Sequence, residues 1–351
     1  MSQWMEYLKT AVEEEASDVF FVAGKAACMK KEGHILPLSD KRLMPDDTRE
    51  LVNGLFEAAG RSMEVCRASG DGDFSFAVPG LARFRVNVYR QRGSWAAVIR
   101  IVSFDIPDWK KIGIPEAVME LAETESGLIL VTGTAGSGKT TTQACLIDRI
   151  NHTRDCHIVT LEDPIEYLHR HDRSIVSQRE ISIDTKDYLC ALRACVRQAP
   201  DVILLGEMRD AETMHTAMAA AETGHLVIAT LHTRGAVNSI DRIIDSFPSI
   251  QQGQIRFQLA MVLKTVVSQQ LLPDRHGGLI PACEILRGTP AVRSMIRHNK
   301  THQIPAAMAA GAREGMLTMD QAIAKLYKAG RITKETALHH ADKPESLERL
   351  L

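Results

Sequence analysis

The feature that most limits what this chain can fold into is Gly133-Thr-Ala-Gly136-Ser-Gly138-Lys139-Thr140, set between an apolar run and a helix-forming stretch. It fits the pattern G-x-x-x-x-G-K-[ST] at every fixed position. Each residue type has a chemical reason. Glycines let backbone N–H groups turn inward around phosphate oxygens, Lys139 brings a cation to the β- and γ-phosphates, and Thr140 offers a hydroxyl to Mg²⁺. The helix that starts here adds the positive end of its dipole. The flanks agree: Gly127–Thr132 reads as a buried strand and Lys139–Ile150 as the helix after it. Together they predict one strand–loop–helix unit of an α/β fold that binds ATP or GTP.

The same alternation continues on both sides of this unit. His157–Leu161, Val202–Leu205 and Leu226–Leu231 are apolar runs of strand length, with helices expected at about Lys186–Gln198 and Ala211–Thr223. Strands alternating with helices predict a parallel sheet with crossovers. From about residue 236 the chain is expected to be mostly helical. Residues 1 to about 106 follow a different pattern, that of a small α+β unit. Met5, Leu8 and Val12 recur at helical spacing, and Pro45 with acidic neighbours marks a helix over about Asp46–Ala59. Strands are expected at Val19–Val22, Ile35–Leu38, Phe74–Val78, Phe84–Tyr89 and Trp95–Val102, with Gly33 as a turn. In Phe84–Tyr89 the apolar Phe84, Val86 and Val88 alternate with Arg83, Arg85 and Asn87. Asp105-Ile-Pro-Asp108 is the expected linker.

Two acidic clusters follow strands of the nucleotide-binding sheet. Glu162, Asp163 and Glu166 lie after Leu161, and Glu207 follows Leu205 and Gly206. Ligands of open parallel sheets sit at the carboxyl ends of strands, so both clusters should converge on the phosphates. Phosphoryl transfer to water needs carboxylates to hold Mg²⁺ and to orient or deprotonate the water. His225 and His232 bracket Leu226–Leu231, and an imidazole there can report on a γ-phosphate; His232, at the carboxyl end, is the stronger candidate. Arg193 and Arg197 sit four apart on one expected helix face, with Leu189, Leu192 and Val196 on the other. Arg83 and Arg85 share a strand face, with Arg100 on the next strand. Arginines of this kind serve ring ATPases by reaching a neighbour's γ-phosphate.

Composition narrows the class. The 351 residues suit two domains or slightly more, and 45% hydrophobic with 25% charged residues is an ordinary globular balance. A net charge of −2 gives no overall pull toward nucleic acid, which is not an expected partner. Seven cysteines without a C-x-x-C pair argue against a zinc module and suit a reducing compartment. No basic segment followed by an apolar run opens the chain, and no stretch approaches a membrane span. A soluble cytoplasmic protein is expected.

At this level of detail the chain resembles the PilT/PilU branch of the secretion ATPases, the hexameric motors that disassemble type IV pili. Four motifs in order carry the resemblance. Gly133–Thr140 matches the Walker A loop, Thr160-Leu-Glu-Asp-Pro-Ile-Glu-Tyr167 the Asp box, Val202-Ile-Leu-Leu-Gly-Glu-Met-Arg-Asp210 the atypical Walker B, and Thr223-Gly-His-Leu-Val-Ile-Ala-Thr-Leu-His-Thr233 the His box. The resemblance implies a PAS-like domain over 1–106, a RecA-like ATPase domain over 107–285 and a helical region over 286–351. It implies ATP and Mg²⁺, with Gly133, Thr134, Ala135, Gly136, Ser137, Gly138, Lys139, Thr140 and Thr141 at the nucleotide. It also implies Glu162 as base for water, Thr140 and Glu207 at the metal, and His232 as nucleotide sensor. Arg85 and Arg100, with Arg83, are implied as contacts in trans.

The implied assembly is a homo-hexamer acting on a platform protein of the inner membrane, alone or with a paralogous retraction ATPase. Extension ATPases carry a tetracysteine module that is absent here, which favours retraction. The retraction motif Ala-Ile-Arg-Asn-Leu-Ile-Arg-Glu is drifted to Ala291-Val-Arg293-Ser-Met-Ile-Arg297-His298, keeping both arginines. The stretch 83–92 and the tail 337–342 are more similar to the accessory, PilU-like type. Motor, accessory motor and ATP-binding scaffold all stay open.

Overall fold

Within the first hundred residues, alternation decides which side of each strand is buried. In β5 (Ala82–Gln91), Phe84, Val86 and Val88 are fully buried while Arg85 is exposed. The structure is a computed structural model that describes residues 2–31, 33–102 and 106–351. It forms two units, Met1–Asp105 and Ile106–Leu351.

The first unit contains α1 (Gln3–Glu13), β1 (Asp18–Phe21), β2 (Ala26–Lys31), β3 (His34–Arg42), α2 (Pro45–Ala58), α3 (Glu64–Ser69), β4 (Asp71–Val78), β5 and β6 (Ser94–Val102). Its sheet is antiparallel in the order β3-β2-β1-β6-β5-β4, a PAS-like arrangement with β3 as an additional edge strand. β2 and α3 are absent from the sequence-based expectations. The buried stripe of α1 is Tyr7, Leu8 and Ala11; Met5 and Val12 flank it half-buried. In β3, Ile35 and Leu36 are 55% and 40% exposed, as an edge strand permits. Of the expected linker, Asp105 lies outside the described residues, and Ile106–Asp108 have no regular structure.

The second unit opens with α4 (Glu116–Met119), then β7 (Gly127–Thr132), α5 (Lys139–Thr153), β8 (His157–Glu162), β9 (Ile175–Glu180), α6 (Tyr188–Cys195), β10 (Val202–Leu205), α7 (Ala211–Glu222) and β11 (Leu226–Leu231). It continues with α8 (Ala236–Asp245), α9 (Ser249–Val262), β12 (Leu263–Pro273), β13 (Leu279–Arg287), α10 (Pro290–Arg297), α11 (Ile304–Ala310), α12 (Met319–Lys328), α13 (Lys334–His340) and α14 (Pro344–Glu348). The sheet order is β13-β12-β7-β11-β10-β8-β9, parallel except for β13. Every residue of β7, β10 and β11 is buried, as strands covered by helices on both faces require. The order places the phosphate-loop strand β7 beside β11, with β10 one strand further. That is a RecA-like layout.

Two details differ from the expectations here. The chain after residue 236 is mostly helical, as expected, but β12 and β13, which were not foreseen, add 11 and 9 residues to the sheet. Ser268, Gln269 and Gln270 break the apolar run of β12, and their partners are distant in sequence. The helix expected over Lys186–Gln198 ends at Cys195, so Arg197 lies past its end and Val196 is exposed rather than buried. Its buried face is Tyr188, Ala191, Leu192 and Cys195.

Candidate active site at the carboxyl end of the second sheet

The β7–α5 loop is shaped by where the glycines bend. Gly133 has φ 144° and Gly138 φ 83°, the latter as the cap before α5. A Cβ on Gly133 would lie 2.3 Å from the Gln269 carbonyl oxygen, so this position excludes any side chain. Lys139 is buried, and its Nζ donates to the carbonyls of Gly133 at 2.9 Å and Thr134 at 2.8 Å. Burial lowers the pKa of its ammonium, against the raising pull of Glu207 and Glu166. The Ser137 N–H donates to Thr134 O at 3.2 Å, closing the turn, and Thr141 Oγ1 meets Tyr167 Oη at 3.0 Å.

A cavity of about 230 Å³ lies beside this loop, lined by Ala135, Gly136, Lys139, Thr140, Glu162 and Glu207, with Asp163, Glu166 and His232 also on its wall. Parallel pairing aligns β8, β10 and β11, so their carboxyl ends deliver these side chains to one place. Glu162, the last residue of β8, is 7% exposed. Its Oε1 accepts from Thr160 Oγ1 at 2.6 Å and from Gln178 Nε2 at 3.2 Å. Burial pushes its pKa up to about 7, against the lowering effect of those two hydrogen bonds. Glu207 meets His232 Nε2 at 3.2 Å through Oε2 and is paired with Arg209 through Oε1; Arg209 also lies 3.8 Å from Asp163.

Several expected residues lie elsewhere. His225 stands at the amino end of β11, opposite the cavity, where its Nδ1 meets the carbonyl of Ala220 at 2.9 Å. A parallel strand presents its two ends to opposite edges of the sheet, so His225 does not line the cavity. Arg193 pairs with Glu212 of α7 at 2.5 Å, Arg197 donates to the Arg193 carbonyl at 3.0 Å, and neither lines the cavity. Arg293 and Arg297 are on α10, away from the cavity wall. In the first unit, Arg100 pairs with Asp18 at 3.1 Å and stands opposite Arg85 in register, while Arg83 donates to Ser75 at 2.8 Å. Arg83, Arg85 and Arg100 thus share one face of that sheet.

Sequence reasoning missed four contributors. Thr160 and Arg209 fall inside quoted motifs but were given no role. Gln178 and Gln269 come from strands that were not foreseen. For Thr160 the signal is its place two residues before Glu162 on one strand, which puts both side chains on the same face. For the glutamines no local signal exists, since what marks them is the partner.

Comparison with known proteins agrees with this geometry. The family model for the type II/IV secretion system protein matches residues 2–345. The type IV pilus ATPase PilU of Pseudomonas aeruginosa is 39% identical over 350 residues, covering 99% of this chain and 91% of that protein. The type IV pilus retractation ATPase PilT of the same organism is 38% identical over 341 residues, covering 97% and 98%. The crystal structure of the pilus retraction motor PilT with bound ADP superposes with a TM-score of 0.91 at 46% identity, covering 99% of both chains. The chain therefore belongs to the type II/IV secretion system protein family.

Proposed function

We propose that this chain is a motor ATPase that hydrolyses ATP at the carboxyl end of its second sheet to drive type IV pilus retraction. The observation that carries the reading is the convergence of Lys139, Glu162, Glu207 and His232 on one cavity, in a chain alignable almost end to end with pilus retraction ATPases. Lys139, now bonded to its own loop carbonyls, exchanges these acceptors for phosphate oxygens. Glu162 is held by Thr160 and Gln178 and has a proton affinity near neutrality, the condition under which a carboxylate accepts a proton from water most effectively. His232 and Arg209 bracket Glu207 and respond to charge arriving there.

Among the described residues no group of three or more His, Cys, Asp or Glu side chains is arranged to hold a metal. Mg²⁺ is usually bound by one or two side chains together with substrate phosphates. Thr140 and Glu207, both on the cavity wall, are the residues to hold it. Bound there, the ion neutralises phosphate charge.

The working unit is a ring of six copies, in which Arg83, Arg85 and Arg100 supply charge to a neighbour's site. Its partner is a platform protein of the inner membrane, at whose cytoplasmic side the ring sits. Among the described residues no helix is long and apolar enough to cross a membrane. An accessory, PilU-like role alongside a paralogue is the second reading, favoured by the drift in α10. Turnover of the purified chain, measured against its oligomeric size, tests the proposal. Turnover confined to the hexamer supports it, and a fully active monomer removes the ring and the trans arginines together.

A further inference from the structure

Gln269 lies in the middle of β12, 4% exposed, on a strand that carries none of the nucleotide motifs. Its Oε1 accepts from Thr142 Oγ1 at 2.7 Å, and its Nε2 donates to the Ser137 carbonyl at 2.7 Å. The orientation of the amide is fixed by chemistry: the reverse would place two carbonyl oxygens face to face at Ser137. Its own carbonyl fills the space beside Gly133, and its Nε2 would lie 2.8 Å from a Cβ on Gly138. One residue therefore fits against both ends of the phosphate loop.

We propose that Gln269 is a positioning residue that sets the curvature of the phosphate loop through the two different ends of its amide. A trans peptide points its carbonyl and the next N–H in opposite directions. Holding the Ser137 carbonyl toward β12 therefore turns the Gly138 N–H to the other side of the loop, away from β12. The Thr142 bond ties the first turn of α5 to the same side chain, so loop and helix are referenced to one strand. The neighbours of Gln269 anchor that strand. Ser268 Oγ accepts from the Gly235 N–H at 2.9 Å, just after His232, and Gln270 Nε2 donates to the His340 carbonyl at 3.2 Å, at the end of α13. Side chains alternate along a strand, so Ser268 and Gln270 reach one side while Gln269 reaches the phosphate loop on the other.

This role rests on reading Gly133–Thr140 as the nucleotide site, and a pH-dependent variant separates the two. In Q269E the protonated carboxyl is nearly isosteric with the amide: its C=O accepts from Thr142 and its O–H donates to Ser137. Ionised, it offers only acceptors, and the Ser137 carbonyl loses its donor. ADP affinity is measured by calorimetry at pH 5.5 and pH 8.5, always as a ratio to wild type at the same pH. Q269E should stay within about threefold of wild type at the lower pH and fall at least about tenfold below it at the higher, as expected for one lost buried hydrogen bond and an unfavourable contact. Q269L, which has neither donor nor acceptor, should be weak at both. A Q269E ratio that does not change with pH, or Q269L binding like wild type, overturns the role. If Q269L does not fold, the two-pH comparison within one Q269E preparation decides alone. A lowered unfolding temperature with wild-type ADP affinity at both pH values would reduce Gln269 to packing and overturn the proposal. Failure of wild type itself to bind ADP overturns the nucleotide reading instead.

Discussion

The two edges of the second sheet carry similar residues and treat them differently. At the amino edge, His157 and His225 satisfy their rings locally: His157 meets the Gln198 carbonyl and Ser177 Oγ, both at 2.9 Å, and His225 meets the Ala220 carbonyl. At the carboxyl edge, Lys139 rests on carbonyls of its own loop, Glu162 is buried with its pKa raised to about 7, and His232 meets the Glu207 carboxylate at 3.2 Å on the cavity wall. Burying groups that would otherwise stay charged costs stability, and only one edge accepts that cost. Strand direction decides which edge it is, because ligands of open parallel sheets sit beyond the carboxyl ends. A histidine beside a nucleotide-binding strand therefore says little until its end of the strand is known.

The largest effect expected at the carboxyl edge is that of K139A. Losing the cation placed for the β- and γ-phosphates removes stabilisation from ground and transition states alike. ATP turnover should fall by about 10³-fold or more, and near-normal turnover would place the chemistry elsewhere.

E162Q comes next and has two readouts. It should bind ATP but hydrolyse it on the order of 10²–10⁴-fold more slowly, the usual contribution of a positioned base. It should also change how stability depends on pH. Burial raises the Glu162 pKa from its ordinary 4.5 to about 7, so the folded chain holds this proton more tightly than the unfolded one. That stability is fully present below about pH 4.5 and is lost as pH rises through about 7. A shift of this size corresponds to about 3 kcal/mol. Relative to wild type, E162Q should therefore gain up to that amount between pH 4 and pH 8 in denaturant titrations. A pH-independent difference would mean that Glu162 ionises normally.

The third test sets the two edges directly against each other. H232A removes the partner of Glu207 inside the cavity and should lower kcat by about tenfold, in line with the loss of one charge-assisted hydrogen bond. H225A removes a ring bonded to the Ala220 carbonyl, so it should cost about 1 kcal/mol of stability with kcat within about twofold of wild type. Equal kinetic effects would break the comparison.

How much of this was legible depends on whether a residue's partner is near it in sequence. β7, β10 and β11 were legible to the residue, because strands buried on both faces read as continuous apolar runs. The phosphate loop, Glu162, Glu207 and His232 were legible because motif and strand end coincide. β9 and β12 were not. β9 opens with Ile175 62% exposed at the sheet edge, and β12 carries Ser268, Gln269 and Gln270 in mid-run. Those polar residues are tolerated because their hydrogen bonds go to the phosphate loop, the turn after β11 and the end of α13. The same gap hid Gln178 and Gln269, whose meaning lies in contacts 16 and 132 residues away.

The smallest kinetic effect is expected away from the cavity, on α10, where a null result on turnover is informative. Val292 and Ile296 bury one side of this helix, Arg297 is exposed, and Arg293 is half-buried with its Nε unbonded among the described residues. Arg293 and Arg297 lie four apart and therefore project from one face. Neither touches the cavity, so R293A combined with R297A leaves the charge around the phosphates unchanged. ATP turnover should stay within about twofold of wild type, since what sets the chemical step is stabilisation at the phosphates. If this face transmits force to the platform protein, pilus-dependent motility should be abolished all the same. The two measurements, turnover in vitro and motility in cells, must be made on the same variant. Loss of both would move the arginines into ring assembly or catalysis. Loss of neither would leave α10 a solvated helix face, with the long arginine stems serving only to cover apolar surface.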